Sequence, residues 1–136
     1  MFATTRPGKL LAAALGLFGL TSAFTNPIRR PGGSDPYLTR ADDGYYYLMT
    51  TSWSDLRISR ATTIEGLKTA EKKVIYSDTE PSRCCNVWAP EVHFLDGNWY
   101  VYYTAGHKQN VEAQNLHVLK GAYYTYRNPE IRAEIL

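Results

Sequence analysis

An all-β fold is predicted for most of this chain, on three observations. The 136 residues include 11 tyrosines, every one after residue 36, and three tryptophans; aromatic and β-branched residues favour strands and disfavour helix interiors. No stretch after residue 23 keeps a 3.6-residue apolar period, the mark of an amphipathic helix. Two aromatic runs each follow an acidic, glycine-bearing turn, Asp42-Asp43-Gly44 and Asp96-Gly97-Asn98, which is how a strand pair announces itself.

Residues 1–23 read as a signal peptide. Arg6 and Lys9 precede the apolar run Leu10 to Leu20, and Thr21-Ser22-Ala23 supplies the small residues a signal peptidase needs. The run holds 11 residues, whereas a membrane-spanning helix needs roughly 20. An extracellular protein is therefore expected. Without this segment the remaining 113 residues carry 13 basic and 13 acidic side chains. That balance excludes a broad nucleic-acid footprint, which needs clustered positive charge, and gives no electrostatic reason for a membrane partner. It is enough chain for one small domain and too little for two. No Asn-x-Ser/Thr acceptor is present, so N-glycosylation is not expected.

The strands expected in chain order are Tyr37 to Arg40, Tyr45 to Thr51, Leu56 to Ala61, Val74 to Tyr76, Glu91 to Leu95, Trp99 to Thr104 and Leu116 to Lys120. Ala61 to Lys73 is the most helix-like stretch, but Thr62-Thr63-Ile64 and Gly66 argue for a loop or a single turn. Cys84 and Cys85 are neighbours. A disulfide between them, two free thiols, or pairing outside the chain all remain open, and the absence of a C-x-x-C spacing argues against a metal site.

The two aromatic strands also align with each other. A shift of 53 residues places Asp43-Gly44 on Asp96-Gly97, Tyr46 on Trp99, Tyr47 on Tyr100, Leu48 on Val101 and Thr51 on Thr104. Before each turn lies a proline and a short strand, Asp35-Pro36-Tyr37-Leu38 in one copy and Ala89-Pro90-Glu91-Val92 in the other. A repeat of this length built of short strands predicts β-propeller blades, each a four-stranded sheet. Two blades do not close a propeller, which typically has 4–8.

Four pieces in order carry a family resemblance: Gly33-Ser34-Asp35-Pro36-Tyr37, Asp43-Gly44-Tyr45-Tyr46-Tyr47, Asn86-Val87-Trp88-Ala89-Pro90-Glu91-Val92-His93, and Asp96-Gly97-Asn98-Trp99 through Gly106. Over roughly residues 26 to 121 the chain resembles the N-terminal part of a glycoside hydrolase of family 43, a five-bladed β-propeller, in its secreted α-L-arabinofuranosidase branch. The resemblance implies residues 24–121 as a partial propeller of about two blades, with a divergent end over residues 122–136. It also implies inverting, exo-acting hydrolysis of arabinan, arabinoxylan or arabino-oligosaccharide by three carboxylic acids: a base Asp, a pKa-adjusting Asp and an acid Glu. Asp35 matches the base. An inverting pair stands about 6.5–9.5 Å apart, leaving room for the attacking water. Pro36 is expected to hold the Asp35 backbone extended at the start of its strand.

Trp88 and Ala89 match the stretch that walls the first sugar subsite in relatives, and an indole face suits the apolar face of a pentose. Glu91 is a candidate for bonding sugar hydroxyls, and Trp53 is a further subsite candidate. Period-2 geometry puts Glu91 and His93 on one strand face, where a satisfied hydrogen bond is a better expectation for His93 than metal ligation. His107 and His117 read as structural. No cofactor is implied, although in the full-length family fold an ion can sit on the propeller axis. The second Asp and the Glu acid have no counterpart before Leu136. The chain is therefore expected to be a fragment or a truncated product, without appreciable glycosidase activity alone. A β-xylosidase or endo-arabinanase of the same family is the alternative enzyme, and a non-catalytic carbohydrate-binding fragment is the alternative from another class.

Overall fold

The computed structural model describes residues 25–121 and 133–135. The signal peptide expected over residues 1–23 lies outside them, as does the strand-like stretch Ala122 to Tyr126. The described residues form an all-β structure of two four-stranded antiparallel sheets. The first runs in chain order through β1 (Tyr37–Arg40), β2 (Tyr46–Met49), β3 (Asp55–Ala61) and β4 (Lys73–Ser77). The second runs likewise through β5 (Cys85–Leu95), β6 (Asn98–His107), β7 (Asn110–Gly121) and β8 (Ala133–Ile135).

The 53-residue correspondence survives in three dimensions at the two acidic turns. Gly44, with φ 82°, ends the turn between β1 and β2, where its N–H bonds to the Ala41 carbonyl at 3.0 Å. Its counterpart Gly97, with φ 78°, follows Asp96, with φ 47°, in the two-residue loop closing Leu95 on Asn98. Two successive residues at positive φ give the turn whose twist matches a right-handed hairpin. The helix-like stretch reduces to one 3₁₀ turn, Glu65–Lys68, which buries Leu67 against the first sheet.

Strand β5 is the main departure from expectation. It starts at Cys85, well before Glu91, and its pairing with β6 slips twice, between Cys85 and Trp88 and between Trp88 and Glu91. Asn86 and Ala89 take positive φ at these bulges, 51° and 46°. An extra residue at a bulge leaves the ladder unpaired, which lets the chain pass Pro90 without losing a bond that proline cannot make. Strand β8, placed in the stretch expected to diverge, pairs Leu119 with Ile135.

One apolar core lies between the sheets. Met49 and Leu56 from the first sheet meet Val87, Val92, Val101, Tyr103, Ala105 and Leu119 from the second. Along the second sheet Val87, Val92, Val101, Tyr103 and Leu119 alternate with more exposed residues, so this sheet turns an apolar face to the first. Apart from the strand ladders, Trp53 in the β2–β3 connection and Val87 in β5 exchange backbone hydrogen bonds, both at 3.2 Å. This antiparallel bridge stitches the β2–β3 turn of the first sheet to the leading end of β5.

Candidate active site

The residues singled out by sequence gather where that bridge joins the sheets, with one exception. Asp35 stands just before β1 and is exposed. Its φ is 49°, so the backbone is left-handed there rather than extended as the following proline suggested. Asp is among the few residues that enter this region readily. The conformation is locked by Thr51, whose N–H bonds to the Ser34 carbonyl at 3.1 Å and whose hydroxyl bonds to Asp35 Oδ2 at 2.6 Å.

Thr51 is buried and reaches across to the second sheet as well. Its Oγ1 accepts the Ala89 N–H at 2.9 Å. Asp35 and Ala89 are therefore joined through a residue that entered the sequence reading only as a strand position. The neighbouring turn is set by Ser52, whose hydroxyl bonds both the Asp55 carbonyl and its Oδ1, the latter at 2.9 Å, and accepts the Asp55 N–H at 3.2 Å. Asp55 in turn grips Arg57 by two hydrogen bonds, both 2.7 Å. Burial pushes the Asp55 carboxyl up, but hydrogen bonds from Arg57 and Ser52 outweigh it and hold it below the usual carboxylate range.

This turn presents Trp53 at φ 75° with its side chain exposed. Its ring meets that of Trp88 edge to face, with centroids 5.5 Å apart and planes at 82°, a geometry the ring quadrupoles favour. Trp88 is half-buried, and its indole N–H is turned inward with no hydrogen-bond partner among the described residues. Ser34, Thr51 and Trp53 also border a cavity of about 200 Å³, with Arg29, Arg57 and Lys72 on its lining. Asp35, Trp88 and Glu91 do not line it.

Glu91 is the exception. It bonds His93 Nε2 at 3.1 Å, and His93 Nδ1 bonds the Tyr37 hydroxyl at 3.3 Å. The chain is satisfied by an imidazole carrying its proton on Nε2, donating to the carboxylate and accepting from the phenol. Burial first, and the Glu91 charge second, raise the Tyr37 pKa. Glu91 thus makes its hydrogen bond in a network separate from Thr51 and the tryptophan pair. His117 bonds the Ala105 carbonyl through Nε2 at 3.3 Å, and His107 Nδ1 takes the Gln109 N–H at 3.2 Å. Cys84 and Cys85 are disulfide-bonded to each other, which settles the three options left open by sequence. Among the described residues no group of three or more His, Cys, Asp or Glu side chains is placed to hold a metal ion.

The comparisons with known proteins agree with the motifs. Residues 24–126 match the family described as glycosyl hydrolases family 43, and the chain belongs to that family. Over 100 residues it is 39% identical to an extracellular exo-α-(1→5)-L-arabinofuranosidase of Streptomyces avermitilis, covering 71% of this chain and 21% of the relative. A protein of the same description from Streptomyces chartreusis is 32% identical over 103 residues, covering 74% of this chain and 31% of the relative. Among solved structures, the α-L-arabinofuranosidase of Lactobacillus brevis superposes with a TM-score of 0.72 at 25% identity, over 82% of this chain and 37% of the other. The chain spans between a fifth and a third of the length of these two Streptomyces relatives.

Proposed function

We propose that this chain carries the base-bearing part of a secreted, inverting α-L-arabinofuranosidase, with Asp35 as the general base and Trp88, Ala89 and Trp53 bordering the first sugar. In this reading the two four-stranded sheets are the first two blades of a five-bladed propeller. The observation that carries it is the hydrogen bond from Thr51 to Asp35 Oδ2. A carboxylate oxygen held by a donated hydroxyl is an acceptor, and the other oxygen is left to take a proton from water, as an inverting base must. The general acid and the pKa-adjusting Asp of the reaction have no match in this sequence, and Glu91 takes neither role. Arabinan, arabinoxylan or arabino-oligosaccharide is the proposed substrate. Secretion is supported by the leader-like residues 1–23 and by the extracellular relatives.

A second reading, a carbohydrate-binding module without turnover, is favoured by Trp53, which is 60% exposed beside Trp88. One experiment separates the two. Release of dinitrophenolate from dinitrophenyl α-L-arabinofuranoside, a leaving group that departs without a general acid, is measured for the protein and its Asp35→Asn variant, with arabino-oligosaccharide binding followed by tryptophan fluorescence. Release that Asp35→Asn abolishes while binding persists supports the enzyme. Binding without release, equal in both proteins, supports the module, and neither binding nor release overturns both.

A further inference from the structure

Asp35, Thr51 and Ala89 come from three separate stretches of chain and two sheets, and one hydroxyl joins them. A backbone N–H can only donate, so in the 2.9 Å contact with Ala89 the Thr51 oxygen is the acceptor. The Thr51 proton is then committed to Asp35 Oδ2, 2.6 Å away. A threonine hydroxyl ordinarily turns to suit its surroundings, but here both of its roles are taken. Thr51 is 7% exposed, while both of its partners, Asp35 and Ala89, are exposed residues, so the link runs from a buried hydroxyl out to the surface carboxylate. The Thr51 N–H holds the carbonyl of Ser34, so backbone and side chain together clamp the segment that carries the carboxylate.

We propose that Thr51 is the positioning residue of the Asp35 base, and that it couples the carboxylate to the Trp88–Ala89 wall. Donation to Oδ2 fixes the carboxylate plane and reserves Oδ1 for the water. Acceptance from Ala89 ties that orientation to the β5 bulge, so a sugar that shifts the wall also shifts the base. Thr51 acts through Asp35 and touches neither sugar nor water. The inference rests on the reading of Asp35 as the base.

The test uses the full chain and three variants, Thr51→Val, Thr51→Ser and Asp35→Asn. Valine keeps the shape and removes both halves of the link, and serine keeps both halves. The first readout is the Ala89 amide chemical shift, followed by NMR while the Asp35 carboxyl carbon is titrated. In the parent and in Thr51→Ser the amide is expected to move with the carboxyl at one midpoint. In Thr51→Val it is expected to stay flat, with the Gly97 amide unchanged as a check that the fold is intact. The second readout is hydrolysis of dinitrophenyl α-L-arabinofuranoside, whose leaving group departs without a general acid, so that turnover reads the base alone. There kcat falls roughly a hundredfold in Thr51→Val, the scale of a misplaced reacting group, with KM little changed and recovery in Thr51→Ser.

An Ala89 amide that ignores Asp35 in the parent, or still follows it in Thr51→Val, overturns the coupling. Parental kcat in Thr51→Val, where Asp35→Asn is inactive, overturns the positioning role. If Asp35→Asn keeps full turnover, the base reading falls and takes the positioning role with it, while the amide titration still decides the coupling on its own.

Discussion

The hydroxyl oxygen of Thr51, in the first sheet's β2–β3 connection, accepts the backbone N–H of Ala89, in a bulge of the second sheet, at 2.9 Å. Ala89 sits at φ 46°, in a region that disfavours a side chain by roughly 1–2 kcal/mol. A strained position persists when its surroundings over-determine it, and the Thr51 bond is one of the contacts that do so. Thr51→Val leaves the Ala89 N–H unsatisfied. It should lower stability by about 1–3 kcal/mol, and Thr51→Ser by clearly less. Urea unfolding with an unchanged denaturant slope reads this difference, and equal midpoints for the two variants would contradict it.

Acid should find a second weak point at Asp78. Its carboxylate accepts the Tyr76 hydroxyl at 2.6 Å, the Glu80 N–H at 2.8 Å and the Arg83 guanidinium. Burial opposes the charge, but these bonds outweigh it and hold the pKa to about 2, against an ordinary 3.8. A depressed carboxylate pKa means that the unfolded state binds the proton first. The stabilisation is therefore complete above about pH 4 and is lost as pH falls toward about 2. Asp78→Asn should be less stable at neutral pH and lose less stability between those limits. Parallel stability curves for parent and variant would rule this out.

Gly106 and Gly44 make a contrasting pair. A Cβ on Gly106 would meet the Ala113 carbonyl oxygen at 2.1 Å, inside the β6–β7 pairing, where backbone cannot step aside. Gly44 has open space around the same atom, and only its φ of 82° resists a side chain. Gly106→Ala should cost about 1–3 kcal/mol or more by overpacking, and Gly44→Ala about 1–2 kcal/mol by backbone strain alone. Thermal melts of the two variants give the ranking, and the reverse order would refute it.

Trp53 should separate binding from stability. Its ring is largely exposed, and its main packing partner is Trp88. Trp53→Ala removes an aromatic contact worth about 0.5–1.5 kcal/mol, so arabino-oligosaccharide affinity should fall roughly twofold to tenfold. The melting temperature should move by only a few degrees. Calorimetric titration showing unchanged affinity would remove Trp53 from the sugar-binding surface.

Strands with local signals were legible in the sequence. Tyr37–Arg40 is bounded identically by sequence and by structure, and β2, β3 and β4 agree within a few residues, because aromatic and β-branched runs between turn residues report strands directly. The start of β5 was not legible. Asn86-Val87-Trp88-Ala89-Pro90 contains a proline that local rules read as a break, and the bulges that accommodate it are defined by the partner strand. The left-handed backbone of Asp35 escaped for a similar reason. The rule for a residue before proline concerns the right-handed region, while the clamp from Thr51 is a contact made 16 residues away. Thr51 itself had no signal, since nothing local ties residues 35, 51 and 89. The Glu91–His93 contact, by contrast, follows from strand period alone and is present at 3.1 Å.

The stitching of the two sheets also bears on the order in which the molecule assembles. Each sheet is a meander whose strands pair with chain neighbours, so its contacts close short loops and form early. The Trp53–Val87 bridge and the Thr51–Ala89 bond instead join positions 34 and 38 residues apart in the chain. These longer loops are expected to close after both meanders have formed and docked. The link from the carboxylate to the β5 bulge is therefore completed last, and a pulse-labelled amide at Ala89 should gain protection after those within β6 and β7.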